Sequence, residues 1–168
     1  MQLQKIQDYD LIRKTALYGQ TEKQRRSNRM EIVIIDGQGG RIGRELAAIA
    51  RARCPGAHIT AAGTNSTAAA VMLKAAPDAC TAGEAAVIDA CRKADVILGP
   101  LGIVIAGAML GEISPAMATA VGSAKAVRLL VPMNRCANLV AGVPDVPLSR
   151  LLADAGDKLA ALAAGEKK

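Results

Sequence analysis

From Met30 onward, hydrophobic and polar positions follow two alternating patterns along the chain. Short apolar runs rich in β-branched residues predict buried strands, and stretches with apolar residues every three or four positions predict helices. The predicted strands cover residues 31–35, 58–62, 78–82, 95–98 and 127–131, with 138–143 as a candidate sixth. The predicted helices cover residues 41–53, 66–76, 84–93, 115–125 and 147–164. This alternation indicates an α/β fold with a doubly wound, mostly parallel sheet of five to six strands.

The first 29 residues differ from the rest of the chain in charge. The whole chain carries a net charge of +6, and residues 1–29 hold seven basic and three acidic residues. Most of the positive charge therefore belongs to this segment. We expect residues 1–29 to be a flexible basic extension and residues 30–168 to form one domain, with Met30 as the natural start of translation.

Composition argues against several classes of function. The domain has no Phe or Trp, and both tyrosines lie in the extension, so bases would find no aromatic platform and specific nucleic-acid binding is not expected. The longest low-charge stretch, residues 96–111, is too short to cross a membrane. The cysteines lack C-x-x-C spacing and there is one histidine, so we expect free thiols in a cytoplasmic protein and no metal site.

The sequence DGQGGRIG follows the first predicted strand and opens the first predicted helix. G-x-G-x-x-G spacing fails because residue 42 is Ile, whereas G-x-x-G-x-x-G spacing fits Gly37, Gly40 and Gly43. Such a loop lets the backbone approach a phosphate, which the free N–H groups of the helix then bind. The alternative is a tight turn without a ligand. The candidate cofactor-binding residues are Asp36, Gly37, Gln38, Gly39, Gly40, Arg41, Ile42 and Gly43.

Asp36 is unexpected at the entrance of a phosphate-binding loop. Our first interpretation is that its carboxylate accepts hydrogen bonds from the loop's own N–H groups and braces the turn. The alternatives are that it holds Mg²⁺ between protein and phosphate, or that it binds a hydroxyl of a ribose or substrate.

The second predicted strand ends in Gly63, Thr64, Asn65 and Ser66, which are also candidate nucleotide-binding residues. An NAD site usually has a carboxylate here, and this sequence has none until Asp78. NADP is therefore favoured over NAD, with Arg41 or Arg44 near its 2′-phosphate. A mononucleotide or a phosphorylated metabolite fits as well. The alternative for Asn65 and Ser66 is that they serve only as a helix cap.

Three later segments should converge on the same edge of the sheet. Gly99 permits close backbone approach, and Asn134 and Arg135 follow the fifth strand, where a guanidinium suits a phosphate or carboxylate. Cys136 is a weak candidate nucleophile. Glu112 is a weak candidate general acid or base, and we favour a simple position at a helix entrance.

Two resemblances accompany these motifs. GQGGRIGRELAAIA resembles the first loop and helix of dihydrodipicolinate reductases, which bind NADH or NADPH, although their catalytic half has no counterpart here. IDGQGGRIG, GTNSTAAAVMLKA, CRKADVILGPLGIVIA, GEISPAMATAVG and VPMNRCANLVAGV resemble a family of small bacterial Rossmann-like proteins known as a domain of unknown function. The second resemblance covers most of residues 31–143 and implies a fold and a candidate site.

These observations favour a small cytoplasmic Rossmann-like protein that binds a nucleotide or dinucleotide. Two alternatives stay open: a non-catalytic sensor or partner-binding module for a phosphorylated metabolite, and a small enzyme that uses Cys136 or Glu112. Because the apolar residues 101–110 need covering, we also expect a homodimer.

Overall fold

The computed structural model describes residues 29–133 and 138–165, and a parallel β-sheet lies at its centre. In the described part of the chain the strands are β1 (Glu31–Asp36), β2 (His58–Gly63), β3 (Ala79–Ala82), β4 (Val96–Pro100) and β5 (Val127–Val131). All neighbouring strands run parallel, in the order β3-β2-β1-β4-β5. The chain reverses direction across the sheet between β1 and β4, which makes this a doubly wound, Rossmann-like arrangement with its switch point there.

Helices cover both faces of the sheet. They are α1 (Arg41–Arg53), α2 (Ser66–Leu73), α3 (Glu84–Lys93), α4 (Pro115–Ser123) and α5 (Leu148–Ala163). One core forms where α1, α2 and α5 pack on the sheet, and a second forms on the opposite face under α3 and α4. A short 3₁₀ helix, Leu101–Val104, follows β4 and belongs to the second core.

The central strand, β1, shows why its apolar residues form a continuous run in the sequence and do not alternate with polar residues. Ile32 and Ile34 point into the first core, whereas Val33 and Ile35 point into the second, and all four are fully buried. A parallel strand covered on both faces has no solvent side, so its interior positions are apolar. The predicted fold class is therefore confirmed, with five strands in the described part of the chain.

The candidate sixth strand at residues 138–143 was wrong. This segment contains no strand, and a turn closes where the Val143 N–H donates to the Val140 carbonyl at 3.2 Å. Leu139 is 91% exposed and Gly142 has a φ of 80°, so the apolar residues that suggested a strand are not buried by neighbours.

Helix and strand ends differ from the prediction by a few residues. The helix α2 ends at Leu73, three residues early, and Ala76 takes a left-handed φ of 49°. The strands β1 and β2 each extend one residue beyond their predicted carboxyl ends. Asp36 therefore pairs with Gly63 at the carboxyl edge of the sheet.

The apolar residues 101–110 are covered only in part within the chain itself. Ile103 is fully buried and Met109 is 8% exposed, whereas Leu110 is 95% exposed. The expected homodimer therefore stays a prediction.

No helix in the two described ranges is long and apolar enough to cross a membrane. Cys54, Cys80 and Cys91 are free thiols. Of the basic extension, only Arg29 lies among the described residues.

Candidate functional site

The glycine loop joins β1 to α1 at the carboxyl edge of the sheet, beside the switch point. The Gly40 N–H donates to the Gly37 carbonyl at 3.0 Å and closes a tight turn. Gly40 has a φ of 63° and is the N-cap residue of α1, and Gln38 is also left-handed with a φ of 50°. The loop therefore turns directly from the buried strand into the first turn of the helix.

Three of the four glycines in the loop are packed so closely that a Cβ would clash, whereas the fourth is not. A Cβ on Gly40 would lie 2.4 Å from the carbonyl oxygen of Ala68, and one on Gly43 would lie 2.2 Å from the sulfur of Met72. A Cβ on Gly37 would meet Met109 at 2.7 Å, whereas one on Gly39 would have open space. The three crowded glycines are those of the G-x-x-G-x-x-G spacing.

The side chain of Asp36 stabilises this loop by hydrogen bonds to its backbone. Its carboxylate accepts the Gly37 N–H at 2.8 Å on one oxygen and the Gly43 N–H at 2.7 Å on the other. The side chain is buried, and this burial raises the pKa of the Asp36 carboxyl, although the backbone N–H groups act in the opposite direction. The bracing role that we ranked first is the one these bonds provide.

Glu112 lies on the other side of the loop, at the end of β2. One carboxylate oxygen, Oε2, accepts the Gln38 N–H at 2.7 Å, the Thr64 hydroxyl at 2.6 Å and the Asn65 amide at 2.9 Å. Partial burial acts to raise the pKa of Glu112, but these hydrogen bonds outweigh it and hold the pKa below its ordinary value. Glu112, Gln38, Thr64 and Asn65 form what we call the Glu112 cluster.

A compact loop, residues 107–113, carries Glu112 to this position. Its ends are joined by a hydrogen bond from the Gly107 N–H to the Ile113 carbonyl at 2.7 Å. Met109 and Leu110 have φ values of 58° and 59°, a conformation that costs a residue with a side chain roughly 1–3 kcal/mol. Two contacts that depend on this conformation offset the cost: Met109 packs over Gly37, and Glu112 contacts the glycine loop.

A cleft of about 510 Å³ opens above the glycine loop on the β4–β5 side. Its floor is the glycine loop, and its far wall contains residues 143–146 with the first turns of α5. Such a volume is ordinary for a small-molecule site, and ligands in doubly wound sheets bind at this switch point. The lining residues outside the glycine loop are Glu45, Pro100, Met109, Pro132, Met133, Val143, Pro144, Asp145, Val146, Leu148 and Leu151.

The polar groups of this cleft are few. Among the described residues that line it, Arg41 is the one cation, and the acids are Asp36, Glu45 and Asp145. Within the described ranges, the backbone N–H groups of Gly39 and Arg41 meet no protein acceptor. An anion placed at the start of α1 would therefore find two N–H donors and one guanidinium.

Several candidate residues do not reach this cleft. Gly99 is buried in β4, where its missing Cβ makes room for the Ile35 carbonyl. Asn65 caps α2, accepting the Ala68 N–H at 2.8 Å, and Ser66 is exposed beside it. Arg44 pairs with Glu45 at 2.6 Å and does not line the cleft.

The candidates after β5 cannot be placed. Asn134, Arg135 and Cys136 lie outside the described residues, so their roles stay predictions.

Neither the far wall of the cleft nor the position of Glu112 was predicted from the sequence. No carboxylate follows β2 in the sequence before Asp78, but Glu112 reaches the end of β2 from a loop after β4. The wall residues Pro144, Leu148 and Leu151 are ordinary turn and helix residues in the sequence. The one available signal was the pair Gly107 and Gly111, which permits a compact turn.

A family model described as "Domain of unknown function (DUF3842)" matches residues 31–164. The chain belongs to this DUF3842 family. The match spans the whole sheet, the glycine loop and all of α5, in agreement with the resemblance to an uncharacterised family. No curated protein sequence matches the chain significantly.

One solved structure similar to this DUF3842 chain is a nucleoside-diphosphate-sugar epimerase from Pseudomonas aeruginosa. It is 16% identical, with a TM-score of 0.39, over 81% of this chain and 48% of the epimerase. The chain thus spans about half the length of that protein. Because the TM-score is low, the Rossmann-like fold is assigned from the strand order itself.

Proposed function

We propose that this protein binds a phosphorylated nucleotide ligand in the cleft above the glycine loop. The observation that carries the proposal is the cleft of about 510 Å³ at the switch point, whose floor is the start of α1. The free N–H groups of Gly39 and Arg41 and the guanidinium of Arg41 are the groups that would hold the phosphate.

The remaining lining suits the rest of a nucleotide. Met133, Val143, Pro144 and Val146 offer an apolar wall for a base, and Asp145 and Glu45 offer acceptors for hydroxyl groups. Phosphate binding has to overcome the three acids around the cleft, so the contacts of Arg41 should be indispensable. NADP, favoured by the sequence, is one ligand that this proposal includes.

Thermal-shift titration of the full chain with AMP, ATP, NADH and NADPH tests the proposal. A ligand present at a hundredfold excess over its Kd should stabilise the protein by about 2.7 kcal/mol and raise Tm by roughly 5–10 °C. Failure of all four ligands to raise Tm would refute nucleotide binding.

The matched variants are Arg41→Ala and Arg44→Ala. Loss of a charged hydrogen bond to phosphate costs roughly 1.5–3 kcal/mol, so Arg41→Ala should weaken binding about tenfold or more. Arg44 is one turn along, is paired with Glu45 and lies outside the cleft lining, so its variant should bind like the wild type. Equal effects of the two substitutions would contradict the assigned phosphate position.

A sensor for a phosphorylated metabolite would use the same cleft. If sugar phosphates raise Tm and nucleotides do not, the ligand is of that second class.

A further inference from the structure

The Glu112 cluster is built like a site for an oxygen anion. One main-chain N–H, one hydroxyl and one side-chain amide converge on a single oxygen of Glu112, at 2.6–2.9 Å. All three donors are uncharged, and each can also donate a hydrogen bond to a phosphate or ribose oxygen. In this structure the protein's own carboxylate satisfies them.

Of the Glu112 cluster, Gln38 alone lines the cleft. Neither Glu112, Thr64 nor Asn65 lines the cleft, which opens toward β4 and β5. The space above Gly37 is filled, since a Cβ there would lie 2.7 Å from the sulfur of Met109 and 2.8 Å from Glu112 Oε2. A ligand that extended from the cleft to the end of β2 would collide with residues 107–113.

We propose that Glu112 occupies the second half of a dinucleotide-sized crevice, so that this protein accepts a 5′-mononucleotide in the cleft and excludes dinucleotides. This inference rests on the proposed function and narrows its ligand class. It reverses the preference for NADP that the sequence suggested, because that preference assumed that the end of β2 was open and free of negative charge.

Charge supports the exclusion of NADP, whereas the exclusion of NAD rests on the filled space above Gly37. The hydrogen bonds hold the pKa of Glu112 below its ordinary value, so its carboxylate is ionised at neutral pH. A 2′-phosphate at the end of β2 would be repelled by the Glu112 carboxylate. The three donors of the cluster would already be hydrogen-bonded to that carboxylate. A 5′-mononucleotide whose phosphate lies at Arg41 avoids both obstacles.

Isothermal titration calorimetry of the full chain with AMP, nicotinamide mononucleotide, NAD and NADP tests the proposal. The wild type should bind at least one mononucleotide about tenfold more tightly than either dinucleotide. Glu112→Ala should strengthen dinucleotide binding about tenfold and change mononucleotide binding by less than about twofold. Glu84→Ala removes an exposed carboxylate from the start of α3 and should behave as the wild type. Wild-type binding of NAD or NADP that equals mononucleotide binding would overturn the proposal.

A second titration separates this inference from the proposed function. Removal of the carboxylate deprives the Gln38 N–H, the Thr64 hydroxyl and the Asn65 amide of their shared acceptor. Acetate should therefore bind to Glu112→Ala and shift the NMR signal of the Gln38 amide toward its wild-type position. The wild type should show no such shift. If no nucleotide binds either protein but acetate restores the signal, the proposed function fails and the occupation of the subsite by Glu112 is supported. If acetate leaves the Gln38 signal of Glu112→Ala unchanged, the three donors form no subsite and this inference is overturned.

Discussion

Replacement of Gly40 by alanine should destabilise the fold more than the same replacement anywhere else in the glycine loop. Gly40 has a φ of 63°, which costs a residue with a Cβ roughly 1–2 kcal/mol. The new Cβ would lie 2.4 Å from the Ala68 carbonyl oxygen, so the loop and α2 must move apart. Because that oxygen belongs to a helix backbone, the movement should cost roughly another 1–3 kcal/mol.

An alanine at this position also lowers the conformational entropy of the unfolded chain, which offsets about 0.4–1 kcal/mol of the lost stability. The net expected loss for Gly40→Ala is therefore about 2–4 kcal/mol, a large fraction of an ordinary stability of roughly 5–15 kcal/mol. Gly39→Ala is the matched control, because a Cβ there has open space and its φ is not left-handed. It should leave stability within about 0.5 kcal/mol of the wild type, or raise it slightly.

Equilibrium unfolding in urea, followed by far-UV circular dichroism, measures both variants. With an m-value of about 1–3 kcal/mol/M, the midpoint of Gly40→Ala should fall by roughly 1–2 M, and that of Gly39→Ala should stay close to the wild type. If Gly39→Ala destabilises the protein as much as Gly40→Ala does, packing does not distinguish these glycines, and our steric reasoning is refuted.

Two further predictions concern the loop that carries Glu112. The lowered pKa of Glu112 contributes stability that is present above about pH 4.5 and is lost as the pH falls through the lowered value, so Glu112→Gln should lose less stability on acidification. Urea unfolding at pH 7 and at pH 3.5 measures this difference, and equal acid sensitivity of the two proteins would contradict it. Leu110 is 95% exposed with a φ of 59°, so Leu110→Gly should raise stability by about 0.5–1 kcal/mol in thermal unfolding. Leu139→Gly, at an equally exposed position without a left-handed φ, should not, and a gain in both variants would point to lost apolar surface as the cause.

The fold was predictable because each of its elements is encoded locally. The interior positions of a strand buried on both faces must be apolar, which residues 32–35 of β1 show. Likewise, α1 begins and ends where the glycine turn and the apolar spacing predict. Residues 138–143 misled the prediction because Leu139 and Val140 are apolar by type but are not buried by the fold. Exposure of a side chain depends on neighbours that are distant in the sequence.

The site was less predictable for the same reason. The glycine loop was visible as a motif, and the role of Asp36 followed from its position next to the loop's N–H groups. The contact between Gln38 and Glu112 joins residues 74 positions apart. It depends on left-handed φ values at Met109 and Leu110, which neither residue type favours. No local pattern encodes such a contact.

The cleft is bounded by α1 on one side and by α5, the last helix of the described ranges, on the other. Leu148 and Leu151 of α5 face the same space as the glycine loop, more than a hundred positions earlier in the sequence. Any molecule held there acts as a non-covalent cross-link that joins the last helix to the start of the fold. Hydrogen exchange in the last helix would then slow on ligand binding, by the same mass action that raises Tm. Protection of α5 from hydrogen exchange or from proteases therefore reports how much of the protein has ligand bound. This protection should rise as the ligand concentration rises.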